Sequence, residues 1–508
     1  MVKTNYLGKR GFAIFKNKIS LKEQFFIRNE LNVRAYIPKS PVQPQPFKIY
    51  RESDTKLYIP RYFGEKHFGI PDDFKITRGD KINLKFNGIL REYQENIVKK
   101  FINHVNLNKW DNIPSGGGLL DVEPGKGKTV MGLKIISELK TKTLVVVHKS
   151  FLLNQWIERI QQFLPEAKVG KIQGKIIDIE GKDIVIGMIQ SLSQKDYQDG
   201  IFDSFGLTVY DECHHLSAEI FSRCMMKIVT NYTLGLSGTM QRKDGLTKVF
   251  KMFLGDVIHK EVSEKNICVN IKGIYFETSD EPFYEVLRDF KGNVMYSSMI
   301  SKLCKFKERS LFIIDVLKKE LSINNNQQIM ILAHNKNLIK FLYEEIEKQN
   351  IAPVGYYVGG MKEEALKESE SKKIIIGTYA MASEGLDIKT LTTLLMATPK
   401  TDVCQSVGRI LRTKEHQPLV IDIIDPHDVF KKQWSKRQSY YKKQNYLIKT
   451  TNKNNYFSDS WDILEYKNKS KNTNTNTNTN TNTNTNTNIE IIKEEKYEGY
   501  IGKCLIQI

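Results

Sequence analysis

Two successions of short apolar runs restrict what this chain can fold into. The first occupies 118–122, 143–148, 183–188, 207–210 and 232–236; the second occupies 328–333, 354–358, 373–377, 393–396 and 419–424. Each run is four to six residues of mostly Val, Ile, Leu and Gly, and helix-like patterns separate the runs. Strands that are apolar on both faces need cover on both faces, and helices between consecutive strands supply it. The expectation is an α/β chain with two parallel-sheet domains in tandem.

The 508 residues exceed one ordinary core and leave room for additional segments. We read an amino-terminal accessory module over 1–85, a first domain over 86–262, a connecting helical segment over 263–320, a second domain over 321–450 and a low-complexity tail over 451–508. The module contains a proline cluster, Pro38, Pro41, Pro44 and Pro46, and an aromatic stretch from Leu57 to Phe63. Within the tail, 472–488 alternates Asn and Thr without an apolar residue, and such a tract is expected to be disordered. Ahead of it, Lys431, Lys432, Lys436, Arg437, Lys442 and Lys443 interleave with Trp434, Tyr440, Tyr441 and Tyr446. Two readings of that helix stay open: a track for a phosphate backbone with stacking bases, or a helix packing its aromatics on the second domain.

A formal net charge of +19 points toward a polyanionic partner, since excess Lys and Arg attract phosphate and release its counterions. Charge alone is equally compatible with a Lys-rich protein from a biased genome. The six cysteines, Cys213, Cys224, Cys268, Cys304, Cys404 and Cys504, show no Cys-x-x-Cys spacing. They read as reduced, mostly buried thiols. No apolar stretch approaches a membrane span and none resembles a secretory leader. A soluble, intracellular protein is expected.

Three motifs carry chemistry. Asp121-Val122-Glu123-Pro124-Gly125-Lys126-Gly127-Lys128-Thr129 follows an apolar run and opens a helix over 130–139, the setting of a phosphate-binding loop. Gly125 and Gly127 let backbone N–H groups approach phosphate oxygens, Lys128 reaches the terminal phosphates, and Thr129 can ligate Mg²⁺. Val122 stands where the general pattern has its first glycine. Asp211-Glu212-Cys213-His214-His215 ends a strand; Asp211 would hold Mg²⁺ and Glu212 would orient or deprotonate the attacking water. A zinc cluster of Cys213, His214 and His215 is the competing reading, which lacks a second ligand group at metal spacing. Gln405-Ser406-Val407-Gly408-Arg409-Ile410-Leu411-Arg412 lies on an expected helix with Arg409 and Arg412 on one face. Facing a phosphoryl group they would act as arginine fingers.

In this order the motifs resemble those of superfamily 2 helicases of the Asp-Glu-x-His type over roughly 86–425. The resemblance implies two RecA-like domains with ATP and Mg²⁺ between them. It further implies that Arg91 and Gln94 contact adenine, that Ser237 and Thr239 couple hydrolysis to movement, and that His148, Lys149, Gln190 and Ser191 bind a strand. In the second domain Thr378 would touch the strand, Gly385 and Asp387 the nucleotide, and Gln405 would pair with His214. Gly238 stands where the family usually has Ala. Gln241-Arg242-Lys243-Asp244-Gly245 resembles the xeroderma pigmentosum group B-type subgroup. Pro60-Arg61-Tyr62-Phe63-Gly64 and Asp422-Ile423-Ile424-Asp425 resemble large-DNA-virus helicases, including the poxvirus transcription-termination helicase.

The implied activity is an ATP-driven motor that moves 3′ to 5′ and unwinds nucleic acid, with DNA the expected track and RNA open. Transcription or replication machinery would be its partners, and a viral origin would place it in the host cytoplasm. Two other readings are carried forward: a duplex translocase that remodels or terminates transcription complexes without strand separation, and a nucleic-acid-binding scaffold with a vestigial nucleotide site. Lys128, Asp211, Glu212, Arg409 and Arg412, all present, argue against the scaffold.

Overall fold

The computed structural model of the protein describes residues 5–464 apart from 37–41, 111–112, 124, 213–217, 239–243, 261–268, 385–387, 389, 404–405 and 409–416. A four-stranded antiparallel sheet comes first, in the order β1 (Asn5–Gly8), β2 (Gly11–Phe15), β4 (Lys56–Ile59), β3 (Arg51–Glu52). Helix α1 (Arg61–Phe68) follows it directly.

The first large sheet uses β5 (Gly116–Asp121), β6 (Thr143–Val147), β7 (Val169–Gln173), β8 (Ile176–Ile177), β9 (Ile184–Met188), β10 (Leu207–Asp211), β11 (Tyr232–Ser237) and β12 (Val257–Lys260). Their spatial order is β8-β7-β9-β6-β10-β11-β5-β12, and every pairing except β7 with β8 is parallel. Strand β6 shows why the sequence pattern reads as it does. All five of its residues are buried, yet Leu144 and Val146 enter one apolar core while Val145 and Val147 enter the other. Successive side chains of a strand point to opposite faces, so a run buried throughout needs two cores.

One of those two cores is shared with the amino-terminal sheet. Phe12, Ile14, Leu57, Ile59 and Phe63 pack into the same cluster as Leu144, Val146, Tyr210 and Phe221. The segment read as an amino-terminal accessory module thus packs against one face of the first sheet. The Pro60-to-Gly64 motif is the fastening. Arg61, 5% exposed, donates from Nη1 to the Asn231 carbonyl (2.9 Å), from Nη2 to Ser115 Oγ (2.9 Å) and from Nε to Glu65 Oε1 (2.8 Å). Tyr62 Oη lies 3.0 Å from Thr233 Oγ1. Gly64 admits the Phe12 ring, which a β-carbon there would meet at 2.3 Å.

The second large sheet comprises β13 (Asn270–Tyr275), β14 (Gln328–Ala333), β15 (Val354–Tyr357), β16 (Ile374–Thr378), β17 (Leu391–Met396), β18 (Leu419–Ile424), β19 (Leu447–Asn452) and β20 (Asp462–Leu464). The order is β15-β16-β14-β17-β18-β13-β19-β20, parallel except for the last pair. Strand β13 falls inside the stretch read as a connector, and it lies between β18 and β19 in this sheet. Its sequence, Asn-Ile-Lys-Gly-Ile-Tyr, alternates apolar with polar or small residues rather than forming an apolar run, which is why it escaped the pattern. Strands β19 and β20 extend the sheet past 450.

Two buried arginines brace this domain. On the helix Lys307–Ile323, Arg309 grips Asp425 through Nε–Oδ1 (2.5 Å) and Nη2–Oδ2 (2.8 Å), and it donates from Nη1 to the Ala397 carbonyl. On the helix Asp428–Lys443, Arg437 grips Asp422 through Nε–Oδ2 (2.6 Å) and Nη2–Oδ1 (2.9 Å). Phe430, Trp434, Arg437 and Tyr441 are the buried residues of that helix, spaced on one helical face. Lys431, Lys432, Lys436, Lys442 and Lys443 are exposed. Of the two readings left open for this helix, packing on the second domain is the one the aromatics and Arg437 follow.

Cys224 and Cys304 are buried free thiols. Burial pushes the Cys224 thiol up to about 12 and the Cys304 thiol up to about 11. The thiolate is the reactive form. Neither residue should be alkylated by iodoacetamide at pH 8 in the folded protein, and both should be modified once it is unfolded in guanidinium, as read by peptide mass mapping.

Candidate active site

Register places the chemistry. Along the first sheet Asp211 pairs with Leu236, and Ser237 pairs with Asp121; the Val122 amide donates to the Ser237 carbonyl (2.9 Å). The carboxyl ends of β10, β11 and β5 therefore lie side by side, at the edge where parallel sheets hold ligands. From β5 the chain turns through the glycine-rich loop into the helix Lys128–Leu139.

Gly125 (φ 84°) and Gly127 (φ 82°) take left-handed backbone conformations, which favour glycine. A β-carbon on Gly127 would also meet Gln94 Nε2 at 2.4 Å. Gln94 is itself fixed: its Nε2 donates to the Lys126 carbonyl (2.9 Å) and its Oε1 accepts from the Arg91 amide (3.0 Å), while Tyr93 Oη also donates to the Lys126 carbonyl. The Arg91-to-Gln94 element thus buttresses the loop. Gly127→Ala combines a strained backbone, costing about 1–3 kcal/mol, with a collision against Gln94. Its kcat/KM for ATP is expected to fall on the order of tenfold or more, read by steady-state phosphate release.

Lys128 is 9% exposed, and its Nζ lies 2.8 Å from Glu212 Oε1. Asp211, 5% exposed, accepts a hydrogen bond from Trp156 Nε1 (2.9 Å). Burial, then the neighbouring Glu212 charge, pushes the Asp211 carboxyl above the usual carboxylate range. Glu212 holds a left-handed backbone (φ 46°), a conformation uncommon for a residue with a side chain and concentrated at functional sites. An ammonium and two carboxylates thus converge, and Thr129 follows Lys128 in the first turn of the helix. Hard oxygen donors of this kind suit Mg²⁺, and the ammonium with the glycine-freed loop suits phosphate.

Trp156 was missing from the sequence reading, because no motif spacing connects it to Asp211. A buried indole N–H requires an acceptor, yet only the fold shows which one.

Of the residues expected at the strand, Gln190 donates from Nε2 to the His148 carbonyl (2.9 Å), joining the ends of β9 and β6. Lys149 is the amino-terminal cap of the helix Ser150–Phe163, and burial lowers its pKa. Ser191 Oγ accepts from the Gly174 amide (3.0 Å). These residues occupy the carboxyl edge of the first sheet. Thr378 ends β16 in the second sheet and accepts at Oγ1 from the Met381 amide. Beside it, Tyr379 donates to the Thr398 carbonyl (2.5 Å) and Lys400 Nζ stands 4.9 Å from the Tyr379 ring centre. Pro124, His214, Thr239, Gly385, Asp387, Gln405, Arg409 and Arg412 lie outside the described residues, as do Cys213 and His215.

The family model described as type III restriction enzyme, res subunit, matches residues 87–242. A protein of Acanthamoeba polyphaga mimivirus, named as an ATP-dependent RNA helicase, is 35% identical over 480 residues, covering 90% of each chain. The chain belongs to the superfamily 2 helicases, beside those of large DNA viruses. A similarly named protein of African swine fever virus is 28% identical across 71% of this helicase and 74% of its own length. The DNA 3′-5′ translocase XPB2 of Sulfurisphaera tokodaii is 26% identical across 72% and 88%. The helicase is accordingly a nucleic-acid-dependent ATPase. Among its described residues no helix is long and apolar enough to cross a membrane.

Proposed function

We propose that this helicase uses Mg-ATP to move 3′ to 5′ along a strand and separate duplex nucleic acid, with DNA as its track. The observation that carries the reading is the convergence of Lys128, Asp211 and Glu212 at the carboxyl ends of β5 and β10. Lys128 takes the β- and γ-phosphates, and Glu212 orients and deprotonates the attacking water. Bound by Thr129 and Asp211, Mg²⁺ would neutralise charge on the phosphate oxygens. The loop from 124 to 127 offers its backbone N–H groups to the phosphates, and Arg91 with Gln94 takes the adenine. From the second domain Gly385 and Asp387 meet the nucleotide, Arg409 and Arg412 stabilise the transferring phosphoryl group, and Gln405 pairs with His214. Ser237 and Thr239 transmit the change to the strand held by His148, Lys149, Gln190, Ser191 and Thr378. Residues 270–464 make one domain in this proposal, since β13 and β19 belong to its sheet.

The test is ATP turnover with no nucleic acid, with single-stranded DNA, with duplex DNA and with RNA. Single-stranded DNA should stimulate most, and no stimulation by any of them would remove the motor reading. A second reading, translocation on duplex without strand separation, draws on the likeness to a relative named as a DNA translocase. Displacement of a labelled strand from a tailed duplex separates the two: the helicase displaces it, a pure translocase does not.

A further inference from the structure

The chain leaving the carboxyl end of β13 forms a small hairpin that no motif of the family reading uses. Arg288 bridges Val294 across it, and the Asp289 amide donates to the Asn293 carbonyl (2.8 Å). The Asp289 carboxylate accepts from the Lys291 and Asn293 amides, both at 2.9 Å, and Arg288 Nη1 donates to the Gly292 carbonyl. This self-bonded turn is well fixed, and at its tip stands Phe290, 93% exposed. One cation accompanies the ring, Lys291 Nζ at 5.4 Å from its centre, and the exposed Arg288 stands two residues before it in the same turn.

Leu287, at the base of the hairpin, lines an open groove of about 630 Å³ together with Phe306 and with Ser297, Ser298, Ser301, Lys302 and Lys305 of the helix Tyr296–Lys305. Its polar side is hydroxyls and ammonium groups without a carboxylate. Lys302 is engaged with the Pro282 and Glu285 carbonyls, whereas Lys305 is exposed. The helix that lines the groove begins beside the carboxyl edge of the second sheet. Tyr296 donates to the Pro399 carbonyl, one residue from Thr398, which accepts from Tyr379 beside Thr378.

We infer that the Phe290 hairpin and the serine-lysine groove form a single-stranded nucleic-acid subsite, in which Phe290 stacks on a base and the groove takes the adjoining phosphates. An exposed ring with a flanking cation matches the face of a base and its phosphate together, and such stacking tolerates any sequence. Apolar protein partners are a poorer match, because Lys291 flanks the ring and the groove is lined by serines and lysines, while the Asp289 carboxylate is taken up by the turn's own amides. The inference rests on the family's dependence on nucleic acid.

The experiment measures binding of fluorescein-labelled DNA and RNA single strands of one sequence by anisotropy, with dispersed 2-aminopurine in a parallel set to report stacking. Phe290→Ala should weaken binding on the order of tenfold and reduce the 2-aminopurine change at saturation, whereas Phe290→Tyr keeps both near the wild type. Lys305→Gln should weaken binding and flatten its salt dependence while leaving the 2-aminopurine change intact. Because Phe290 is exposed, the melting temperature of Phe290→Ala should match the wild type. A Phe290→Ala variant equal to the wild type in affinity and stacking signal overturns this subsite and leaves the motor reading standing. A wild-type protein that binds neither strand overturns both.

Discussion

Glu212→Gln is expected to lower strand-stimulated ATP turnover by on the order of 10²–10⁴-fold while ATP binding stays within a few-fold of the wild type. Glutamine preserves the shape of the side chain and its ability to accept from Lys128 Nζ, 2.8 Å from Oε1 in the wild type. What it loses is the carboxylate that would take a proton from water. Lys128→Ala should behave differently. Removing an ammonium that is 9% exposed leaves Glu212 without its cation and the phosphates without theirs, so binding and turnover fall together. Phosphate release at saturating strand, paired with equilibrium binding of a fluorescent nucleotide, distinguishes the two variants. Turnover of Glu212→Gln within tenfold of wild type would mean that the base lies elsewhere.

The second large effect concerns stability. Arg309→Ala strands Asp425 as a fully buried carboxylate, and loss of one partner from a buried pair costs about 3–5 kcal/mol. The expected readout is a clearly lower urea midpoint for the transition that reports the second domain. Replacing both members, Arg309→Met with Asp425→Leu, should recover much of the loss, since no buried charge is then left alone. If the single variant unfolds at the wild-type midpoint, the pair is not bracing the domain. Arg437→Ala, which strands Asp422, provides an independent repeat of the same measurement.

Much of this fold was legible because two-faced burial leaves a mark on the sequence. The run 328–333 is buried at every position, and continuous apolarity from Ile329 to Ala333 marks it. Strand β13 left no such mark: its lysine, Lys272, reaches Glu320 (2.7 Å) from within the sheet, and that partnership appears only when the chain is folded. The phosphate loop and Asp211-Glu212 could be read because their chemistry fixes residue types at close spacing. Trp156 could not, since it meets Asp211 from a different element. The Asp422-to-Asp425 cue was visible as a pattern, while its physical content, two arginines gripped 15 and 116 residues away, was not.

The sharing of a core between the amino-terminal sheet and the first large sheet also bears on the order of synthesis. Arg61 binds the carbonyl of Asn231, 170 residues later in the chain, and Phe12 packs in a cluster that reaches Leu254. During translation the first sixty residues emerge long before the surfaces that cover them, and contacts so distant in sequence form slowly. For that interval Phe12, Ile14, Leu57 and Phe63 present an apolar, strand-forming surface to the cell. Nascent chains stalled before about residue 254 should therefore engage chaperones that chains released at full length do not.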